Sequence, residues 1–346
     1  MMYKLIDAKE IKKALSWLSK YWDRPLHPEY YHARTVDEAI SLLDEYGKEA
    51  KLMAGGVDLV GLMKNRVIVP RALVNIKPIA RLKHITGTDS GLFIGALTLI
   101  NDLERSPMIK DKYPLLYEAA HSIGSPQVRN MSTVAGNLCQ DVRCWYYRRS
   151  PSTGITYNCR RKSETGTCYA ADGENQYHAI IGGNKCLAIC PSDMATVLLA
   201  LDATLSTVST SGGRTLAIDE LYTCLGTVLE PAELVTEIQV PAPESGTKQR
   251  FLKFRVRNAI DYAIVSVAVV VKSDRETVRD ARIVLGGVSA EPYRVLKAEE
   301  VLKGERLSES VAAEAARIAL NDAQPLSKNG YKVQIAETLV KRALLE

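Results

Sequence analysis

Residues 133–159 read TVAGNLCQDVRCWYYRRSPSTGITYNC and place two kinds of signal side by side. The stretch begins with a turn of small residues around Gly136, where the backbone can approach a phosphate closely. It then runs into cysteines set among basic and aromatic residues. The segment therefore combines a turn that suits an anionic ligand with thiols that suit a metal.

A second glycine turn lies earlier in the chain, at Ala54-Gly55-Gly56-Val57-Asp58, after a strand-like run. Adjacent glycines permit positive φ and remove side chains, so that successive N–H groups can point at an anion. The turn matches neither the dinucleotide-binding fingerprint nor the P-loop. Together with the turn at 132–137 it can hold a pyrophosphate, although two purely structural turns explain the pattern as well.

Six of the seven cysteines fall between residues 139 and 190. In a chain without a secretion signal, such clustering favours metal binding over disulfides. Four of them have 14, 8 and 17 residues between them, without a close CxxC pair: Cys144, Cys159, Cys168 and Cys186. This spacing suits a [4Fe–4S] cluster, while zinc and unligated thiols remain alternatives. We interpret the other three as small buried apolar residues: Cys139, Cys190 and Cys224.

The amino-acid composition indicates a globular protein and argues against nucleic-acid binding and membrane spans. The 346 residues are 46% apolar and 25% charged, with a net charge of +5, as expected of a globular protein of two or three modules. No basic stripe or nucleic-acid motif is present, and no apolar run is long enough to predict a membrane span. The charged N-terminus does not resemble a signal peptide, which predicts a cytoplasmic location, or a periplasmic one only through export with a signal-bearing partner.

The chain divides into three predicted parts, with an N-terminal helical extension at 1–26, a main domain at 27–242 and a C-terminal α+β domain at 248–346. The extension either packs on its own chain or docks a partner subunit. Within the main domain, a capping box at 35–38 predicts a helix. Residues 139–190 read as a long irregular insertion, and such long loops in compact domains are usually functional, for example in binding a ligand.

Five stretches, in this order, carry a family resemblance: 51-KLMAGGVDL-59, 123-IGSPQVRNMSTVAGNLC-139, 191-PSDMA-195, 253-KFRVRNAIDYAIVSVA-268 and 285-LGGVSAEPYR-294. From about residue 28 onward, the chain resembles the FAD-binding medium subunit of the xanthine dehydrogenase and aldehyde oxidoreductase family of molybdenum hydroxylases. The inserted cysteines resemble the subtype with an additional [4Fe–4S] cluster, as in 4-hydroxybenzoyl-CoA reductase and periplasmic aldehyde oxidoreductase.

The resemblance implies an α+β fold with a vanillyl-alcohol-oxidase (PCMH) type FAD-binding domain of two α/β subdomains. A C-terminal domain of the CO dehydrogenase flavoprotein type follows it. Residues 51–59 would wrap the pyrophosphate, 133–137 would form the second flavin turn, and Lys253 would approach the isoalloxazine ring. The implied FAD-binding residues are Lys51, Leu52, Met53, Ala54, Gly55, Gly56, Val57, Asp58, Leu59, Ile123, Ser132, Thr133, Gly136, Asn137, Asp193, Leu234 (or Val235) and Lys253.

Particular roles and departures follow from the same resemblance. Ile123 would lie near the flavin, and Asp193 would accept hydrogen bonds from the cofactor's hydroxyls. Val57 replaces a usual Thr or Asn, and Ala135 stands where Gly is typical. Cys190 occupies a position that is often His, which leaves it, like Cys139, as an alternative cluster ligand. The basic residues near the cysteines would offset cluster charge, or form a solvated face or a docking surface: Arg143, Arg148, Arg149, Arg160, Arg161 and Lys162.

The resemblance implies an electron-transfer subunit with no catalytic acid or base of its own. The molybdenum cofactor would lie on a large partner subunit, two [2Fe–2S] clusters on a small one, and an external electron carrier would meet the flavin. One alternative is a self-contained flavin oxidoreductase, and another is the same complex running as a reductase. A third is a non-enzymatic binding protein stabilised by zinc or a cluster.

Overall fold

The computed structural model describes residues 27–149 and 157–346. The helix predicted at 1–26 lies outside these residues, as do residues 150–156 of the cysteine segment. Within the described part of the chain, no helix is long and apolar enough to cross a membrane.

The first subdomain is built on a small parallel sheet. Its strands, in spatial order, are Glu29–His32, Ala72–Asn75 and Ala50–Met53. The helix Val36–Tyr46 packs on the sheet through an apolar face that includes Val36, Ile40 and Leu43. Thr35 Oγ1 accepts from Glu38 N at 3.1 Å, and Glu38 Oε2 accepts from Arg34 N, which confirms the predicted helix start.

The second subdomain is a five-stranded antiparallel sheet. Its strands, in spatial order, are Ile85–Thr88, Gly91–Gly95, Leu234–Pro241, Thr204–Ser209 and Gly212–Ala217. The helices of this subdomain are Ile100–Arg105, Pro107–Lys112, Pro114–Ser122 and Asp193–Ala200. All eight residues of Asp193–Ala200 are buried, because the helix packs against Pro114–Ser122 on one side and the C-terminal sheet on the other.

Short elements connect the two subdomains and surround the cavity described below. They are the helices Leu59–Lys64, Pro126–Arg129, Val134–Leu138 and Trp145–Arg148, the 3₁₀ turns Gly47–Glu49, Ala80–Leu82 and Asp219–Leu221, and the hairpin Tyr222–Thr223 with Gly226–Thr227. Apart from the short helix Trp145–Arg148, the described part of the cysteine segment is irregular, as predicted.

The C-terminal domain is a four-stranded antiparallel sheet covered by helices. The strands run Thr247–Phe254, Val265–Asp274, Thr277–Gly286 and Tyr293–Arg294, and the helices are Leu296–Leu302, Glu309–Ala319 and Tyr331–Leu345. Apolar side chains of the sheet and the helices form one core. The first strand begins at Thr247, one residue before the predicted start of this domain at 248, and Thr247 pairs with Lys272.

Candidate functional site

A cavity of about 730 Å³ opens where the two subdomains and the C-terminal domain meet. Sixteen of the seventeen residues expected to bind FAD line it: Lys51, Leu52, Ala54, Gly55, Gly56, Val57, Asp58, Leu59, Ile123, Ser132, Thr133, Gly136, Asn137, Asp193, Leu234 and Lys253. Met53 does not line the cavity, and its Cε packs beneath the Gly56 turn. Val235, the alternative to Leu234, also lines it.

The two glycine turns touch each other. A Cβ built on Gly55 would lie 1.7 Å from Met131 O, so only glycine permits this approach of backbone to backbone. Gly56 has φ of +72°, which also favours glycine. Residues 55–56 and 131–132, far apart in sequence, are therefore packed into one wall of the cavity.

The second turn is stabilised by a chain of side-chain caps. Thr133 Oγ1 accepts from Gly136 N at 3.1 Å and begins the helix Val134–Leu138. Asn137 Oδ1 accepts from Ser192 Oγ at 2.7 Å, and Ser192 in turn caps the helix that begins at Asp193. The half-buried Ala135 is accommodated in this turn.

Lys253 and Asp193 form a buried ion pair in the cavity wall. Lys253 Nζ lies 2.6 Å from Asp193 Oδ2, and the two side chains are 5% and 6% exposed. Lys253 Nζ also donates to Ser122 O at 3.3 Å. The pair joins the C-terminal domain to the second subdomain and places a cation and an anion beside any bound ligand.

Asp58 of the first turn is held by two arginines from the cysteine segment. Its Oδ1 lies 2.7 Å from Arg143 Nη1, its Oδ2 accepts from Arg148 Nη2 at 3.0 Å, and Asp141 N also donates to it. Burial disfavours the carboxylate, but the arginines outweigh it, and the pKa of Asp58 is lowered. The first glycine turn and the cysteine segment are thus joined through this carboxylate.

The basic residues of the segment do not all face solvent. Arg143, Arg148 and Arg161 have side chains that are 19%, 17% and 7% exposed and pair with carboxylates, which excludes a solvated face for these three. Arg143 also stacks over the Tyr262 ring, with 4.2 Å to its centroid. Arg160 is exposed and donates to Asn184 O.

A second, small cavity of about 20 Å³ lies within the cysteine segment. All four cysteines expected to hold a cluster line it: Cys144, Cys159, Cys168 and Cys186. Burial raises the pKa of Cys144 to about 11 and raises that of Cys186, so any metal bound here would have to displace a proton from each thiol. Among residues 27–149 and 157–346, however, no three or more His, Cys, Asp or Glu side chains form a group that could hold a metal ion.

The remaining cysteines lie elsewhere. Cys139 and Cys190 line the large cavity, Cys139 being exposed there rather than buried as expected. Cys190 is buried, as expected, and its pKa is raised to about 12 by burial. Cys224 is half-buried near the hairpin, where its carbonyl accepts from Arg161 Nη1.

Tyr147 and Arg161 line both cavities, and sequence reasoning did not assign them to the flavin site. Tyr147 OH donates to Asp141 Oδ2 at 2.6 Å, and Arg161 Nη2 donates to Asp141 Oδ1 at 2.8 Å. The available signal was their position among the cysteines that follow the second glycine turn. They form a shared wall between the two cavities.

Two family matches together cover nearly the entire chain. Residues 24–243 match the family described as FAD binding domain in molybdopterin dehydrogenase, and residues 250–346 match the CO dehydrogenase flavoprotein C-terminal domain. This chain is an FAD-binding subunit of the molybdenum hydroxylase family. Membership confirms the predicted fold and makes the chain a subunit of an oxidoreductase.

Individual relatives of this FAD-binding subunit agree. The aldehyde oxidoreductase FAD-binding subunit of Escherichia coli (strain K12) is 32% identical over 307 residues, which are 86% of this chain and 91% of that one. The glyceraldehyde dehydrogenase medium chain of Sulfolobus acidocaldarius is 28% identical over 92% of this chain and 97% of its own. The solved carbon monoxide dehydrogenase of Hydrogenophaga pseudoflava superposes with a TM-score of 0.74 at 29% identity, over 92% of this chain and 96% of that one.

The large cavity fits the FAD that the family binds. Its volume is within the range of cofactor sites, and its wall at Gly55 and Gly56 is backbone without side chains, where an added Cβ would collide or be strained. Lys253 lines the same cavity. These residues suit a long ligand with a central pyrophosphate.

Proposed function

We propose that this subunit passes electrons between FAD in the large cavity and a [4Fe–4S] cluster bound by Cys144, Cys159, Cys168 and Cys186. The observation that carries the proposal is that these four thiols line one cavity, whose wall at Tyr147 and Arg161 is also the wall of the flavin cavity. Flavins exchange electrons singly or in pairs, and iron–sulfur clusters exchange them singly.

The flavin would be held mainly by backbone. The turns at 54–58 and 132–137 would surround the pyrophosphate, because their contact at Gly55 leaves no room for side chains. Lys253, fixed by Asp193 and Ser122 O, would present a positive charge near the isoalloxazine ring and favour its reduced, anionic form. Asp193 pairs with Lys253 through Oδ2. The same carboxylate would also accept hydrogen bonds from hydroxyl groups of the cofactor.

The cluster would be held by four thiolates in a pocket whose other walls include aromatic rings and cations. Burial raises the pKa of Cys186, and the nearby Arg161 partly opposes that shift by favouring the thiolate. A cation in this position would also stabilise the negative charge of a bound cluster. Other walls of the pocket are Tyr146, Tyr169 and His178.

The relatives support a multi-subunit setting. Those named above are an FAD-binding subunit and a medium chain. We therefore infer that a large subunit with the molybdenum cofactor and a small subunit with two [2Fe–2S] clusters assemble with this chain. An external electron carrier completes the path, and flow toward the molybdenum site, as in a reductase, uses the same residues.

Cofactor analysis of the anaerobically purified complex tests this function. The subunits are separated under anaerobic conditions, and the cofactor content of this chain is then determined. We expect about one FAD, about four iron atoms and about four sulfide ions per chain. FAD with zinc or with no metal on this chain would overturn the cluster and leave the flavoprotein. Turnover of an organic substrate by the isolated chain would instead favour a self-contained flavin oxidoreductase.

A further inference from the structure

His178 is a buried histidine in the wall of the cysteine cavity. It is 2% exposed, and its Nε2 lies 3.2 Å from Cys144 Sγ. The ring packs between aromatic side chains, with centroid distances of 5.6 Å to Trp145 and 6.0 Å to Tyr146. A side chain this enclosed has few alternative positions, so the surrounding residues hold it in contact with the sulfur.

The backbone of His178 is fixed by the C-terminal domain. Its carbonyl accepts from Lys332 Nζ at 3.0 Å and from Asn329 Nδ2 at 3.2 Å, and both donors belong to fully buried residues. Lys332 Nζ also donates to Gly287 O, which ties the same point to the C-terminal sheet. The histidine is thus positioned by residues about 150 positions away in sequence, as the separations of 151 and 154 residues show.

The surroundings of the ring decide which nitrogen carries the proton. Nδ1 is buried and finds no hydrogen-bond partner among the residues that the structure describes. A proton on Nδ1 would be a buried donor without an acceptor, whereas a proton on Nε2 meets the sulfur of Cys144. The neutral ring therefore carries its proton on Nε2 and donates it toward Sγ.

We propose that His178 donates an N–H···S hydrogen bond to the Cys144 thiolate and thereby raises the reduction potential of the cluster. This inference rests on the proposed cluster. Reduction adds negative charge to the cluster and its sulfurs, and a fixed donor to one of those sulfurs stabilises the reduced state more than the oxidised one. His178 is thus a positioning and tuning residue, not a ligand.

The test compares midpoint potentials of the cluster in the anaerobically purified complex, followed by electron paramagnetic resonance during a redox titration. His178→Phe keeps a ring in the pocket and removes the hydrogen-bond donor. The midpoint potential of the cluster in this variant should therefore fall below that of the wild type. His178→Gln retains an N–H and should restore part of the difference. Tyr177→Phe is the matched control, because this neighbouring residue is exposed and contacts the Trp145 ring, and its potential should match the wild type.

The outcomes separate this inference from the proposed function. A wild-type chain without iron–sulfur cluster removes the basis of both. A cluster whose potential is the same in wild type and His178→Phe overturns the inference and leaves the proposed function intact. Loss of iron from both His178 variants also overturns it, since a residue that only donates to a ligand sulfur is not required for assembly.

Discussion

Lys253 and Asp193 show how one contact can serve both stability and cofactor binding. The pair is nearly excluded from water, and each charge depends on the other for compensation. Sequence resemblance placed both residues at the flavin, but their direct contact joins strand Thr247–Phe254 to the start of helix Asp193–Ala200.

Replacing Lys253 with Met should lower the free energy of unfolding by about 3–5 kcal/mol, because it leaves Asp193 buried without its counter-charge. Urea-induced unfolding of wild type and variant measures this. The double variant with Asp193→Asn removes the stranded charge and should recover part of the loss. Fully additive losses from the two substitutions would show that the residues do not interact in solution.

Cys159 and Cys224 provide a matched pair for testing the cysteine cavity. Cys159 lines it, and Cys224 does not. Cys159→Ser should therefore remove iron and the broad visible absorption while most FAD stays bound, and Cys224→Ser should keep both. Metal analysis and flavin extraction report the two contents. Unchanged iron in Cys159→Ser would exclude it as a ligand.

The contact between the two glycine turns depends on the absence of a side chain at Gly55. Its hydrogen faces Met131 O, and a methyl group there would force the turns apart. Asp58, three residues later, extends the same connection to Arg143 and Arg148. The cofactor-binding turns and the cysteine segment are consequently one connected unit, although the sequence presents them as separate motifs.

Gly55→Ala alone should greatly reduce FAD retention, and replacing Gly55 and Gly56 together with Val should abolish it. The control is Gly61→Ala in the helix Leu59–Lys64, where an added Cβ meets no atom within 4 Å. That control should retain FAD and gain up to about 1 kcal/mol from the higher helix propensity of alanine. Flavin content after gel filtration gives the comparison, and normal occupancy in Gly55→Ala would place the site elsewhere.

Lys332 lies at the junction between the cysteine segment and the C-terminal domain. Its ammonium is buried and bonds only to backbone carbonyls among the described residues, at His178 and Gly287. Burial lowers the pKa of Lys332 to about 7 from an ordinary 10.5. The same junction includes the backbone hydrogen bond from Gln324 to Ile180, so the two regions are joined at several points.

The pH dependence of stability should reveal this lysine. Because the folded pKa is below the unfolded one, the unfolded chain binds the extra proton between about pH 7 and 10.5, and stability rises with pH in that window. The contribution approaches about 1.4 kcal/mol per pH unit. Lys332→Met should lack it, so unfolding free energies of wild type and variant should diverge with pH.

Lys341→Met is the control for that experiment, because this lysine lies on the same helix but pairs with the exposed Glu309. Urea unfolding of the three proteins at pH 7, 8 and 9 would give the slopes. Parallel curves for wild type and Lys332→Met would contradict a neutral buried lysine at high pH.

Much of the fold could be anticipated from the chain, for local reasons. The capping box at Thr35 marks a helix start through its own side chains, and Gly56 in the first glycine turn marks a backbone geometry that other residues avoid. Helix Asp193–Ala200 is mostly apolar, which agrees with its burial on all sides. Less could be said of Tyr147 and Arg161, since a tyrosine and an arginine in an irregular segment carry no signal of what they will face.

The amino-acid sequence determined the family, the glycine turns and the set of cysteines, because each depends on residue types at nearby positions. Only the tertiary structure decided that Gly55 packs against Met131, that Asp58 holds the arginines of the cysteine segment, and that Lys332 reaches His178 from the C-terminal domain. These contacts join residues far apart in the chain, and no local pattern encodes which distant partner will compensate a buried charge or fill the space beside a glycine.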